Sequence, residues 1–429
     1  MKKVVCILLC MCMMATLCAC AGSYRKDGAD AVKGDAGYDG DYNGGDWVVE
    51  DSAYPEEEPA MPAVDTGEGG SESQSQTLRP AAGMITAGAH NDNDYYDGWL
   101  ELFAEDGKYG YGSYADWHFD TLQRVKVTVK NGETALAGEK VTLQSANGQS
   151  VGSAVTDANG VAYLFVPSSE DGVTVHFGED KQTLMQNTTE VTFDVAKENQ
   201  KKNTIELMLV VDVTGSMGDE LIFLQKELAD VIERVEKDNA NAELRLSLLF
   251  YRDHGDSEVF SFCDFATLKK DVMGMAKLLN TLAGQRADGG GDTPEAVDEA
   301  LQMAMNASWS QDATTKIIFH VLDAPPHSKT ENKDTYFAAV QSAAEQGIRI
   351  CPVICSGADS LTEYLCRQTA IYTGGTFVFV TNDSGIGNAH HDPDLPNVTV
   401  EYLNDLMVRL VNGYHTGEFK APVSYTQSK

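Results

Sequence analysis

Positive charge is scarce in this chain. Its 429 residues hold 32 Lys and Arg against 65 Asp and Glu, a formal net charge of −33. That balance excludes nucleic acid as a partner, because phosphate binding needs clustered cations. It also excludes electrostatic attachment to anionic lipid. Long apolar runs are missing too: Val4 to Leu17 is apolar but too short for an ordinary membrane-spanning helix. No Cys-x-x-Cys pair is present, which removes the usual zinc ligand spacing. The glycine-rich GGGDTP lacks the Gly-Lys-Ser/Thr of a phosphate loop, and its carboxylate would repel phosphate. The acidic, aromatic stretch 84–119 lacks the Asp-x-Asp-x-Asp-Gly order of a calcium loop.

What is present begins with an address. Lys2 and Lys3 precede the short apolar run, which reads as a signal peptide. The run ends Leu17-Cys18-Ala19-Cys20 and resembles a bacterial lipobox. That resemblance implies cleavage before Cys20 and diacylglycerol on its sulfur, so residues 1–20 are expected to be a lipoprotein signal. Acidic proteins of this kind suit a cation-rich setting outside the cytoplasm. Beyond the leader only Cys263, Cys351, Cys355 and Cys366 remain. On one strand Cys351 and Cys355 would lie about 13 Å apart at ~3.3 Å per residue, too far to bond each other. Core thiols are expected, with one disulfide among the four left open.

The length allows two or three domains with real cores. Residues 21–83 are rich in Gly, Asp, Glu, Ser and Pro and cannot bury enough apolar surface to fold alone. A disordered tether is expected there. Residues 84–123 form an aromatic and acidic lead-in whose rings should pack on the next domain. Between 124 and 196 the period turns to two: VKVTV, KVTLQS, VAYLFV, VTVHF and VTFDV are split by NG, ANG and EDG turns. A small antiparallel β-sandwich is expected, and TDANGVAYL resembles the Cna-B or prealbumin-like repeats of bacterial surface proteins. Such repeats imply a stalk or spacer.

From Thr204 strands and helices alternate. IELMLVVD is a buried strand, and Leu221, Leu224, Leu228, Val231, Ile232 and Val235 follow at helical spacing. The expected fold class is α/β, an open, mostly parallel sheet with helices on both faces, over residues 204–418 with a tail at 419–429. Ligands of such sheets bind beyond the carboxyl ends of the strands.

Three pieces converge at that edge. Asp212-Val-Thr214-Gly-Ser216 ends the first strand. Thr293, after Gly289 to Asp292, is expected to open a helix. Asp323 closes the strand IIFHVLD. Hydroxyls and carboxylates on adjacent loops make an oxygen-only site suited to a hard cation. The ordered set resembles the von Willebrand factor A domain and its metal-ion-dependent adhesion site. The resemblance implies that Asp212, Thr214, Ser216, Thr293 and Asp323 hold Mg²⁺ or Mn²⁺, directly or through water. Arg252, Asp253 and Asp256, after the second strand, are expected at the rim with Asp292. The sequence departs from the family pattern where Thr214 replaces a Ser and where Asp323 leads into Ala324-Pro325-Pro326-His327.

Other readings compete. Ser216 sits where a hydrolase places its nucleophile, with Asp323 and His327 or His390 as triad partners. A nucleophile elbow, however, needs glycine where Thr214 stands. A plainer alternative has Asp212 and Thr293 capping helices. His390-His391 reads as a surface loop. The leading expectation is a non-enzymatic, lipid-anchored binding module in the bacterial cell envelope. Its partner would be an envelope or matrix protein engaged through an acidic side chain. A hydrolase and a metal-independent structural envelope protein are the alternatives.

Overall fold

The computed structural model describes residues 79–110, 114–199, 201–291, 293–393 and 395–426. Cys20, the tether up to residue 78 and Asp292 lie outside them. The described residues belong to one unit, Ser75–Lys429. It opens with β1 (Thr86–His90) and α1 (Tyr96–Glu101). Eight strands follow: β2 (Arg124–Asn131), β3 (Thr134–Ala135), β4 (Lys140–Gln144), β5 (Ser150–Val155), β6 (Val161–Phe165), β7 (Thr174–Phe177), β8 (Asp180–Thr183) and β9 (Glu190–Asp194). The alternating part is β10 (Lys202–Asp212), α2 (Leu221–Asp238), β11 (Glu243–Tyr251), β12 (Phe260–Thr267), α3 (Val272–Gly284), α4 (Val297–Met305), β13 (Ala313–Leu322), α5 (Thr330–Gln346), β14 (Ile348–Ile354), α6 (Ser360–Thr373), β15 (Phe377–Val380), β16 (Glu401–Tyr402) and α7 (Leu403–Thr416).

The large sheet has the order β12-β11-β10-β13-β14-β15-β1-β16. Its centre, β11 through β15, is parallel, while β12, β1 and β16 run antiparallel to their neighbours. Why β10 reads as one unbroken apolar run is plain from its two faces. Ile205, Leu207, Leu209 and Val211 enter one core with α2, α3 and α7. Met208 and Val210 enter a second core with α4, α5 and α6. A strand covered on both sides needs apolar side chains at every position.

Residues 84–123 are more than a lead-in. β1 lies between β15 and β16 and completes the large sheet. Glu227 on α2 accepts the backbone N–H groups of Gly83, Met84 and Ile85 at 2.8, 2.8 and 3.0 Å, fixing the entry of that strand. The aromatics then pack on α5 and α6, with Trp117 6.0 Å from Tyr336 and Tyr109 5.0 Å from Tyr364 between ring centroids. The expected boundary at 204 therefore leaves out part of the sheet.

Residues 124–194 form two four-stranded sheets, β3-β2-β6 with β9 beside β2, and β5-β4-β7-β8. Val125, Val127 and Val129 face Val141 and Leu143 in a shared core. The expectation of a purely antiparallel sandwich is corrected at one place: β9 pairs with β2 in parallel. The pair is joined by the intervening strands rather than by a hairpin, so nothing forces it antiparallel. These sheets are inserted between β1 and β10 of the large sheet, rather than placed ahead of it. All four body cysteines are buried free thiols.

Candidate metal centre

Asp212 arrives at the site because β10 ends there. It is fully buried, and its Oδ1 accepts the Thr214 N–H at 2.9 Å and the Thr214 hydroxyl at 2.7 Å. The Thr214 hydroxyl lies 3.1 Å from Ser216 Oγ. Ser216 also stands near Asp323, which follows β13, and helps hold its carboxyl down. Because β10 and β13 are adjacent parallel strands, their carboxyl ends deliver the two acids side by side. The chain leaves β10 toward β11 on one side and reaches β13 on the other, so this is a switch point of the sheet.

The glycine-rich loop closes over this edge. Gly289 C=O accepts the Gly215 N–H at 3.2 Å, and Asp256 Oδ2 accepts the Gly290 N–H at 3.0 Å. Both glycines have positive φ, and a Cβ at Gly289 would lie 2.4 Å from the Asp256 carboxylate. Only glycine fits that conformation and that approach. Thr293 is exposed on the same loop. Contrary to expectation it does not open a helix: α4 begins at Val297 with Ala296 at its N-cap. Pro294 has no N–H to offer, and the Glu295 N–H goes to Pro325 C=O at 3.1 Å. Neither Asp212 nor Thr293 caps a helix, so that reading falls.

The rim residues divide. Arg252 binds the carbonyls of Glu258 and Arg286 at 3.2 and 3.0 Å, tying the turn after β11 to the segment leading into the glycine loop. Asp256 also accepts the Asp253 N–H at 3.2 Å. Asp253 is buried and bonds His327 Nε2 at 2.8 Å. Sequence reasoning missed three acids here. Glu295 sits against Thr214 and Gly290, and Glu220 and Asp219 lie on the turn after Ser216. Their only sequence signal was nearness to the motif, and the side of the loop they take depends on distant elements.

The electrostatics are unbalanced. Burial, then repulsion from Asp323, raises Asp212 to about 7. Burial, then Glu220 and Asp219, raises Asp323 to about 6. Burial followed by Asp212 and the neighbouring acids raises Glu295 to about 9. Asp212 Oδ2, Asp323 Oδ1 and Glu295 Oε2 are buried without a hydrogen-bond partner. A buried charged oxygen left unpaired is costly, so such groups normally neutralise or meet a cation. Two orphaned carboxylate oxygens beside two hydroxyls fit a hard divalent cation and do not fit a thiol- or imidazole-seeking one.

The histidines are engaged elsewhere. His327 bonds Asp253, and His390 bonds Glu220 and Asn382, so among the described residues none is hydrogen-bonded to Ser216. His390 is buried, which corrects its reading as surface loop; His391 pairs with the buried Glu363.

Residues 206–382 match the family model of the von Willebrand factor A domain. Over that stretch, 177 of the 429 residues, the chain is similar to the von Willebrand factor A domain. Among curated proteins, an ariadne-like RING finger protein of Acanthamoeba polyphaga mimivirus is 31% identical over 132 residues, covering 31% of this chain and 12% of that protein. The chain thus spans about an eighth of that relative. Among solved structures, protein BatB of Bacteroides thetaiotaomicron is 15% identical, with 41% of this chain and 90% of that chain covered and a TM-score of 0.30. An aerotolerance-related membrane protein of Bacteroides fragilis is 14% identical, with 50% and 99% covered and a TM-score of 0.29. Among the described residues no helix is long and apolar enough to cross a membrane.

Proposed function

We propose that the von Willebrand factor A domain is a protein-binding module whose strand-edge site holds Mg²⁺ or Mn²⁺ and captures a carboxylate of a partner. The observation that carries this reading is the pair of buried, unpartnered oxygens, Asp212 Oδ2 and Asp323 Oδ1, aimed into one edge. Asp212, Thr214, Ser216, Thr293 and Asp323 would hold the ion, directly or through water. When bound, the cation supplies local positive charge and an exchangeable coordination position. Thr214 fixes Asp212 Oδ1 through two hydrogen bonds and leaves Oδ2 free. Asp256 holds the glycine loop in place. The net charge of −33 repels acidic partners at long range, so attraction is confined to the site itself. A binding role rather than a hydrolytic one is supported by Ser216, whose hydroxyl bonds Thr214 and no histidine among the described residues.

Mg²⁺ titration followed by melting tests the reading. Wild type should gain stability as RT ln(1 + [L]/Kd), about 2.7 kcal/mol at a hundred times Kd. Asp212→Ala should fold and show no gain. An equal gain in the variant would sink the site and assign the effect to general screening of an acidic surface. Capture of an envelope or matrix protein should then be lost with chelator and with Thr293→Ala. If capture survives both, the domain works as a metal-independent envelope component.

The setting follows from the leader. We read the chain as lipid-anchored at Cys20, outside the cytoplasm of a bacterial cell, touching membrane only through that anchor. Cys20→Ala should release the protein from the detergent phase or leave it unprocessed. Unchanged partitioning would remove the anchor from this reading.

A further inference from the structure

Beside the oxygen site stands a second cluster with different chemistry. Asp253, His254 and His327 each bring one ligand atom to a point, all within 4.8 Å of one another. We infer that these three residues form a separate site for a borderline divalent cation of the Zn²⁺ class, at the rim and open toward solvent.

Local structure explains the convergence. Arg252-Asp253-His254-Gly255-Asp256 is the turn between β11 and β12, and Gly255 at φ +97° lets the chain reverse there. Asp253 points inward and is buried; His254 points outward and is exposed. His327 comes from the other side, delivered by Pro325-Pro326. That segment is held by the bond from Glu295 N–H to Pro325 C=O and by pairing of Glu295 with Pro326. Each ligand thus sits on a loop whose backbone is fixed.

The geometry suits a metal better than an ion pair alone. His327 Nε2 is 2.8 Å from Asp253 Oδ1, and the two imidazoles lie 5.3 Å apart between centroids at 32°. One carboxylate therefore faces two imidazoles. Tetrahedral Zn²⁺ with bonds of about 2.0–2.2 Å sets its ligand atoms roughly 3.3–3.5 Å apart. Small side-chain rotations reach that spacing, and the proton between His327 and Asp253 is displaced by the ion. Glu299 Oε1 on α4, 4.0 Å from His254 Nε2, is positioned as a fourth donor. Where Glu299 stays away, water or a nitrogen or thiolate donor from another molecule completes the shell. Two imidazoles favour Zn²⁺ over Mg²⁺, whereas the neighbouring site offers oxygen only. The two sites therefore select different ions, and the second stands without the reading proposed for the first.

The test uses the full chain without a histidine tag, in saturating Mg²⁺ to fill the oxygen site. Co²⁺ serves as the visible reporter and Zn²⁺ as its competitor. One Co²⁺ should bind per chain with a tetrahedral d–d band that one equivalent of Zn²⁺ removes. His254→Ala and His327→Ala should each weaken binding at least about tenfold, since even outer-shell changes cost that much. Asp212→Ala should bind Co²⁺ as wild type does. His254 is exposed, so His254→Gln should keep the metal-free melting temperature and still lose the band. Absence of a band in wild type would overturn the site, leaving a His327–Asp253 ion pair. Wild-type binding by the histidine variants would overturn it equally.

Discussion

Two regions of this molecule bury carboxylates, and they treat them in opposite ways. Between the lead-in and α6, Asp92 accepts from Arg367 Nε at 3.1 Å and Nη2 at 2.6 Å. Glu363 accepts from Lys108 Nζ at 2.6 Å and from Tyr109 Oη at 2.9 Å, and it also pairs with His391. Burial pushes both acids up, yet bonds from His90 and Arg367 hold Asp92, and bonds from Lys108, His391 and Tyr109 hold Glu363, below their ordinary values. At the strand edge the same burial meets no such cations. Arg252 is a positive neighbour that lowers Asp212, yet Asp212 still rises to about 7. Compensated acids build the fold. The strand-edge acids are left with unpartnered oxygens.

The largest expected effect breaks the compensated region. Arg367 Nη1 also lies 3.4 Å from Glu363 Oε1, so Arg367→Met removes a cation from both buried acids and should cost about 3–5 kcal/mol in a urea melt. A loss under about 1 kcal/mol would mean that the network is solvated and the contrast is unsound.

The next effect has the opposite sign. In cation-free buffer at pH 8, Asp212→Asn should stabilise the protein by roughly 2–4 kcal/mol, because the folded state holds this proton more tightly than the unfolded one. With a folded pKa near 7 against 3.8 unfolded, the penalty is absent at pH 3. It grows between about pH 4 and pH 7 and is complete above that. The advantage of the variant should follow this curve and vanish in acid. A variant less stable than wild type at pH 8 would show Asp212 to be compensated after all.

The smallest effect sharpens the local picture. Gly290 has φ +85°, and a Cβ there would meet Glu295 Oε1 at 2.9 Å and Thr214 Cβ at 3.0 Å. Gly290→Ala should cost about 1–2 kcal/mol of stability for an alanine held in the left-handed region. It should also weaken Mg²⁺ by a larger factor than the destabilisation implies, since the crowding falls on Thr214. Calorimetry of cation binding set beside the melt separates the two.

How much of this was legible follows from the range of each signal. β10 and α2 could be read because a doubly covered strand and an amphipathic helix write their periods into adjacent residues. Asp212, Thr214 and Ser216 were legible as a group because one strand end carries them all. β1 was not: TAGAH is short, small and weakly patterned, and its partners are Phe377 to Val380 and Glu401 to Tyr402, far along the chain. Asp92 and Arg367 are 275 residues apart, so no local pattern could pair them. His390 looked like loop because its neighbours are polar, while Glu220, which buries it, lies 170 residues away.

The place of β1 has a mechanical consequence. Any pull from the segment before residue 83 enters the large sheet directly, through a strand bonded to β15 and β16 on its two sides. Such a load runs along the strand and must shear a row of hydrogen bonds together instead of peeling them one at a time. The sheets of residues 124–194 share none of the hydrogen bonds of that row.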